Sequence, residues 1–226
     1  MKKSILLSAL FMVVFLHGHG QKKSMEYGFA AGMNINSASG SAVNKTYKEP
    51  LFGFNVGGHL KFNASQRFGL KAILRYEQQG WAYHSLTFED ITGTTLGKGD
   101  VSFKMNYLNL PILAEYSFGN KLKFTLGGGL FLGFLLTNQV VTKINQPVAP
   151  NPVTITKYRS DGIKSTNFGL SFSAGVQIPV SRTIQLSFNL HDNYGLQNTN
   201  KSQGLTNTTV NINSLAINAG VVFKTY

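Results

Sequence analysis

The sequence predicts an all-β chain: an eight-stranded antiparallel up-and-down transmembrane β-barrel of the outer-membrane type. Three observations carry this. Extended segments alternate strictly between large apolar and small or polar residues, the connections between them alternate long and short, and the chain opens with a secretory leader. A strand repeats its side-chain direction every two residues, so strict alternation gives each segment one greasy face and one small or polar face.

The clearest alternation lies in Asp100 to Leu136. Leu108, Leu110, Ile112, Ala114, Tyr116 and Phe118 share one parity, and Asn109, Glu115 and Ser117 the other. After Gly119-Asn120-Lys121, Leu122, Phe124, Leu126, Leu130, Leu132 and Phe134 share a parity, opposite Lys123, Thr125, Gly127, Gly129 and Gly133. Phe118 and Leu122 must point the same way, so the hairpin loop holds an odd number of residues. Gly127 to Gly129 lie inside a strand and not before a helix, which excludes a phosphate loop. Pro111 cannot donate to a ladder, and a strand bulge or local kink is expected there.

The remaining segments follow in order. The first strand is read at Glu26 to Asn34, the second at Leu51 to Phe62 and the third from Phe68 through Tyr76. The hairpin above supplies the fourth and fifth, Asn167 to Ile178 the sixth, Ile184 to Leu190 the seventh and Leu215 to Phe223 the eighth. Long polar connections are expected at 35–50, 79–104, 137–166 and 195–211, and short turns at 63–66, 119–121 and 179–183. Long loops on one side and tight turns on the other are the pattern of an outer-membrane barrel, with both termini periplasmic when the strand number is even.

The leader has three parts. Lys2 and Lys3 precede an apolar run from Ile5 to Leu16, and small residues stand at Gly18 and Gly20. That layout predicts a signal peptide at 1–20 and a barrel domain at 21–226. The run is short for a transmembrane helix. Any span of the mature chain is therefore built from strands.

Composition narrows the function. There is no cysteine, so thiolate metal sites, disulfides and a Cys nucleophile are excluded. The formal charge of +12 reflects only nine acids, and the bases are scattered without a long run, so nucleic acid is not an expected partner. A chain with 24 Gly, 17 Phe and 13% charged residues suits a membrane barrel. The polar parity is rich in Gly, Ser and Asn, which fit inside a narrow barrel and make a poor soluble surface. Phe52, Phe62, Phe68, Trp81, Phe118, Phe134 and Tyr194 crowd the strand ends as expected of interfacial girdles. Asp192 and Lys104 interrupt the apolar parity near loops.

The inward parity carries Glu26, Glu77 and Glu115 with Lys61, Arg67, Lys71, Arg75, Lys123 and Lys224. Eight strands leave an interior filled by side chains, so Glu26, Lys71, Arg75, Glu77, Glu115 and Lys123 are expected to form a structural polar network. Ile73, Leu113 and Phe131 point inward too, against an open channel. His191 and Asp192 are adjacent and face opposite sides of a strand, so they do not form a catalytic pair. No metal-ligand spacing or matched triad is present, and the chain is read as non-enzymatic with no cofactor.

At Asn106 to Tyr116, NYLNLPILAEY, the sequence resembles the PorT-like outer-membrane β-barrel family of Bacteroidetes, which often shows a strand like YLEIPLLLKY. Tyr107, Leu108, Pro111, Leu113 and Tyr116 match; Asn109 replaces a Glu and Glu115 a Lys. The resemblance implies an eight-stranded barrel in the outer membrane with a secretion-associated role. The terminal Phe223-Lys224-Thr225-Tyr226 looks like a signal for the barrel-assembly machinery. The functional expectation is an interaction scaffold working through loops 79–104 and 137–166, because loops carry recognition on a rigid frame. Expected partners are outer-membrane lipids, lipopolysaccharide through the loop bases, and an outer-membrane or secretion-system protein. A narrow solute channel and a lipid-modifying enzyme are the alternatives.

Overall fold

The computed structural model describes residues 24–41, 43–44, 46–89, 91–145, 153–158, 162–201 and 208–225. The expected signal peptide and Tyr226 lie outside them. The strands are β1 (Ser24–Ser39), β2 (Lys48–Asn63), β3 (Phe68–Glu89), β4 (Thr95–Phe118), β5 (Lys123–Asn145), β6 (Val153–Tyr158), β7 (Thr166–Pro179), β8 (Ile184–Gly195) and β9 (Asn211–Thr225). Each is antiparallel to its neighbours, in the order β1-β2-β3-β4-β5-β7-β8-β9, and β9 pairs with β1 to close an eight-stranded ring. Closure removes the edges an open sheet would present. β6 stands outside the ring and pairs with β5 alone.

The greasy parity faces outward. Phe124, Leu186 and Ile217 are 44%, 40% and 64% exposed, while the alternate residues Thr125, Ser187 and Asn218 are buried. In water this surface would be costly; in lipid it is the matching solvent. The hairpin between β4 and β5 pairs Phe118 with Phe124 around residues 119–123. The loop is odd in length, as the parity of the two phenylalanines requires, and one rung wider than Gly119-Asn120-Lys121. Gly119 has φ +96°, which a glycine adopts without strain.

Three expectations are corrected. First, the described residues of 79–104 and 137–166 are largely strand and not polar loop. β3 pairs with β4 out to Glu89↔Thr95, and β4 with β5 out to Lys98↔Asn145. Residues 81–88 and 99–105 keep their period-two alternation, and their neighbours supply a ladder above the ring. Second, Pro111 makes no bulge. The register runs unshifted through it on both sides, with Pro111 opposite Phe131. The ladder to β3 instead lapses between Ala72↔Ile112 and Arg75↔Asn109, because the proline has no N–H to offer. The register shift in this part of β4 falls at Asn106/Tyr107. Third, Arg67 is exposed in the turn between β2 and β3 and does not enter the lumen.

Candidate functional site: the barrel lumen

The inward side chains stack in tiers from the turn end to the loop end. Nearest the turns, Lys123 Nζ lies 3.5 Å from Glu26 Oε1, and Asn63 Nδ2 donates to the same oxygen at 3.2 Å. The next tier is centred on Glu115. Lys61 Nζ donates to its Oε1 at 2.6 Å and Lys71 Nζ to its Oε2 at 3.2 Å. Lys61 and Lys71 are direct cross-strand neighbours, and like charges so placed repel. The shared carboxylate offsets that repulsion. To reach it, Lys61 crosses β3 at Gly69, where a Cβ would stand 2.7 Å from its Cε. A glycine on the inward parity is therefore the space a long side chain needs.

Above this, Glu77 is fully buried and accepts from four donors. Arg75 Nη2 lies at 3.3 Å, Asn109 Nδ2 at 2.6 Å and Asn193 Nδ2 at 3.4 Å, and the Ser214 hydroxyl completes the set. A buried carboxylate is tolerable when its lone pairs are this fully used. Leu113 and Phe131 fill the lumen between the polar tiers and are 0% and 3% exposed.

Ser171 Oγ lies 2.9 Å from His191 Nε2, a serine–histidine contact that spacing alone did not suggest. It is not set up for nucleophilic attack. The Ser171 hydroxyl donates to Asn193 Oδ1 at 2.7 Å, so the proton on this contact belongs to His191 Nε2. A base must instead offer that nitrogen bare to the hydroxyl. Both side chains are also buried. Asp192 faces away from them. Among the described residues, no group of three or more His, Asp or Glu could hold a metal ion.

At the loop end the lumen turns apolar. Trp81, Met105, Tyr107 and Ile212 pack inside the ring with Ala38, Val43 and Val210. The Trp81 ring stacks on Phe103 at 4.6 Å. Trp81 was expected in an outer girdle, yet it is only 6% exposed. The signal was present: Trp81 shares the parity of Arg75 and Glu77, and Met105 and Tyr107 that of Asn109 and Glu115. Six residues of the expected polar network thus meet in separate clusters: Glu26 with Lys123, Lys71 with Glu115, Arg75 with Glu77. Lys61 and Ser214, not among those six, complete two of them.

Residues 19–201 match the family model of the outer membrane protein beta-barrel domain. The chain belongs to that family. It is an outer-membrane β-barrel. Similar solved structures include the Neisserial surface protein A, at 17% identity over 88% of this chain and 96% of that one, with a TM-score of 0.47. Ail of Yersinia pestis, in complex with the heparin analogue sucrose octasulfate, is 13% identical over 88% and 99%, TM-score 0.40. OprG from Pseudomonas aeruginosa is 10% identical over 92% and 98%, TM-score 0.43. Among curated proteins none matches the chain.

Proposed function

We propose that this outer-membrane barrel is a non-enzymatic scaffold whose working part is the sheet standing above its ring, held on the extracellular side with both termini periplasmic. The observation that carries this is the asymmetry of the two ends. At one end the strands meet in tight turns. At the other, β3, β4 and β5 continue past the last β5–β7 rung, Phe134↔Thr166, and β6 joins them through Gln139↔Tyr158 to Ile144↔Val153. From Phe134 to Asn145 the strand adds roughly 35 Å of length at ~3.3 Å per residue. Beneath this sheet the lumen is packed and capped by the Trp81 cluster, which favours a scaffold over a channel.

β6 is paired on one side among the described residues, and an unpaired strand edge accepts an extended partner segment by main-chain hydrogen bonds. Lys98, Lys104 and Lys143 on the sheet and Lys164 and Lys201 near the rim favour anionic lipopolysaccharide alongside that protein partner. The PorT-like motif residues Tyr107, Leu108, Pro111, Leu113 and Tyr116 support a partner tied to secretion, with insertion by the barrel-assembly machinery. Crosslinking in native membranes followed by pull-down should recover a protein that is lost on deleting residues 140–163. An unchanged set of captured proteins would reject the reading. Planar-bilayer recordings should stay flat, and discrete conductance steps would favour a channel.

A further inference from the structure

Midway along the lumen, between the Glu115 and Glu77 tiers, is a cavity of about 40 Å³. Its wall includes Lys71, Arg75, His59, His191, Asn55 and Asn218, and no carboxylate. Lys71 and Arg75 stand four residues apart on one face of β3 and are 6% and 4% exposed. Each already meets a carboxylate outside the cavity wall, Glu115 for Lys71 and Glu77 for Arg75. Neither cation is used up by that contact. The Nε–H of Arg75 has no protein partner, and neither has the amide of Asn55, a residue 1% exposed. Gly57, directly opposite Arg75, keeps the space open, since a Cβ there would lie 2.7 Å from Arg75 Cα.

Buried donors without acceptors are costly, and a buried cation in excess of its carboxylates more so. Counted over the whole lumen, Lys61, Lys71, Arg75, Lys123 and Lys224 are five cations against the three carboxylates of Glu26, Glu77 and Glu115, a difference of two with the histidines neutral; Lys123 and Lys224 are part-buried at the turn end, and the fully buried cations and carboxylates balance three to three. We infer that this cavity is a binding site for a monovalent, monatomic anion of halide size, held by the Arg75 Nε–H, the Lys71 ammonium and the Asn55 amide. At ~10–15 Å³ per water, the volume holds about three water-sized groups and takes a halide with accompanying water. Asn218 Oδ1, an acceptor without a protein donor, suits that water.

The test uses the full mature chain folded from urea into detergent with bromide present, so that entry past the packed ends is not required. Anomalous diffraction at the bromine edge should give a peak against Arg75 Nε and Lys71 Nζ. No peak there, or peaks on the outer surface alone, means an adventitious ion only and overturns the site in favour of water. A solution measurement runs beside it: the folding equilibrium of the unaltered protein, with chloride exchanged for gluconate at constant ionic strength. The folding constant should rise about tenfold per tenfold chloride once the site saturates, reaching about a hundredfold at one hundred times Kd. Lys71→Met should flatten that dependence. A flat response in the unaltered protein, or an undiminished one in Lys71→Met, refutes the assignment.

Discussion

Replacing Glu115 by Gln removes one charge and almost no volume, yet it should be among the most damaging changes available in the barrel. Its two oxygens hold Lys61 at 2.6 Å and Lys71 at 3.2 Å, with all three side chains at most 8% exposed. Breaking a buried pair by removing one partner costs about 3–5 kcal/mol, chiefly because the other charge stays buried and uncompensated. Here two ammonium groups are stranded side by side, so the upper end of that range applies, roughly a thousandfold or more in the folding constant. Lys61→Met in the native background is milder. Glu115 keeps Lys71, and the lost contacts are those of Glu115 Oε1 and of Ser117 Oγ, 3.0 Å from Lys61 Nζ, for about 1–3 kcal/mol. In the Glu115→Gln background the same substitution should change sign and stabilise, because it removes an unpaired charge from beside Lys71. Urea unfolding in lipid vesicles, followed by the fluorescence of Trp81, the single tryptophan, measures all four proteins. Trp81 is buried in the apolar cluster, far from the Glu115 tier, so it reports global unfolding. If Lys61→Met destabilises equally in both backgrounds, the shared-carboxylate account is wrong.

The lipid face and the glycine packing make separate predictions. Ile217→Lys, at a site 64% exposed and midway along β9, should cost about 2–4 kcal/mol in a bilayer and lower the urea midpoint accordingly. An unchanged midpoint would mean this face does not meet hydrocarbon. Gly69→Ala should cost about 1–3 kcal/mol through overpacking, because the new methyl group occupies the route by which Lys61 crosses to Glu115. Combining it with Lys61→Ala, which removes the Cε that the methyl group would meet, should recover part of that loss, and failure to recover would place the strain in the backbone, where Phe62 O would lie 2.9 Å from the new Cβ.

Legibility followed the side-chain period. Where alternation is strict, as from Leu108 to Phe118, facing and register could be reasoned from the residues, and the exposures of Phe124, Leu186 and Ile217 agree with it. The alternation also continues through Gln79, Trp81 and Tyr83 and through Val101, Phe103 and Met105. The alternate residues there, Gly80, Ala82, Ser102 and Lys104, carry the small-residue and charge signals of a loop, and the extended sheet and the apolar cap were hidden behind them. The charged network was legible as a set of inward residues but not as pairs. Lys71 meets Glu115 and Arg75 meets Glu77 because of side-chain reach and strand order, and parity says nothing about either. The Ser171–His191 contact and the cavity beside Arg75 needed the β7–β8 register, which pairs Ser173 with His191.

That division has a physical origin in what each face can specify. A one-residue slip between strands exchanges lipid-facing and lumen-facing residues and is strongly opposed. A two-residue slip keeps parity, and lipid does not distinguish Leu70 from Leu74 or Phe68. The outer face therefore leaves a ladder of near-equivalent registers, and the interior must choose among them. It does so by matching absences to reaches: Gly69 beneath Lys61, Gly57 beside Arg75, and Gly175 where a Cβ would collide with Asn189 Oδ1. Sliding β3 two residues along β2 would set the Lys71 side chain where Gly69 now yields, and would withdraw Glu77 from Asn109, Asn193 and Ser214 together. The buried charges are costly relative to an apolar filling, and an interior of leucines would bind the ring as tightly. It would not say which rung meets which, and that choice is what the polar lumen contributes.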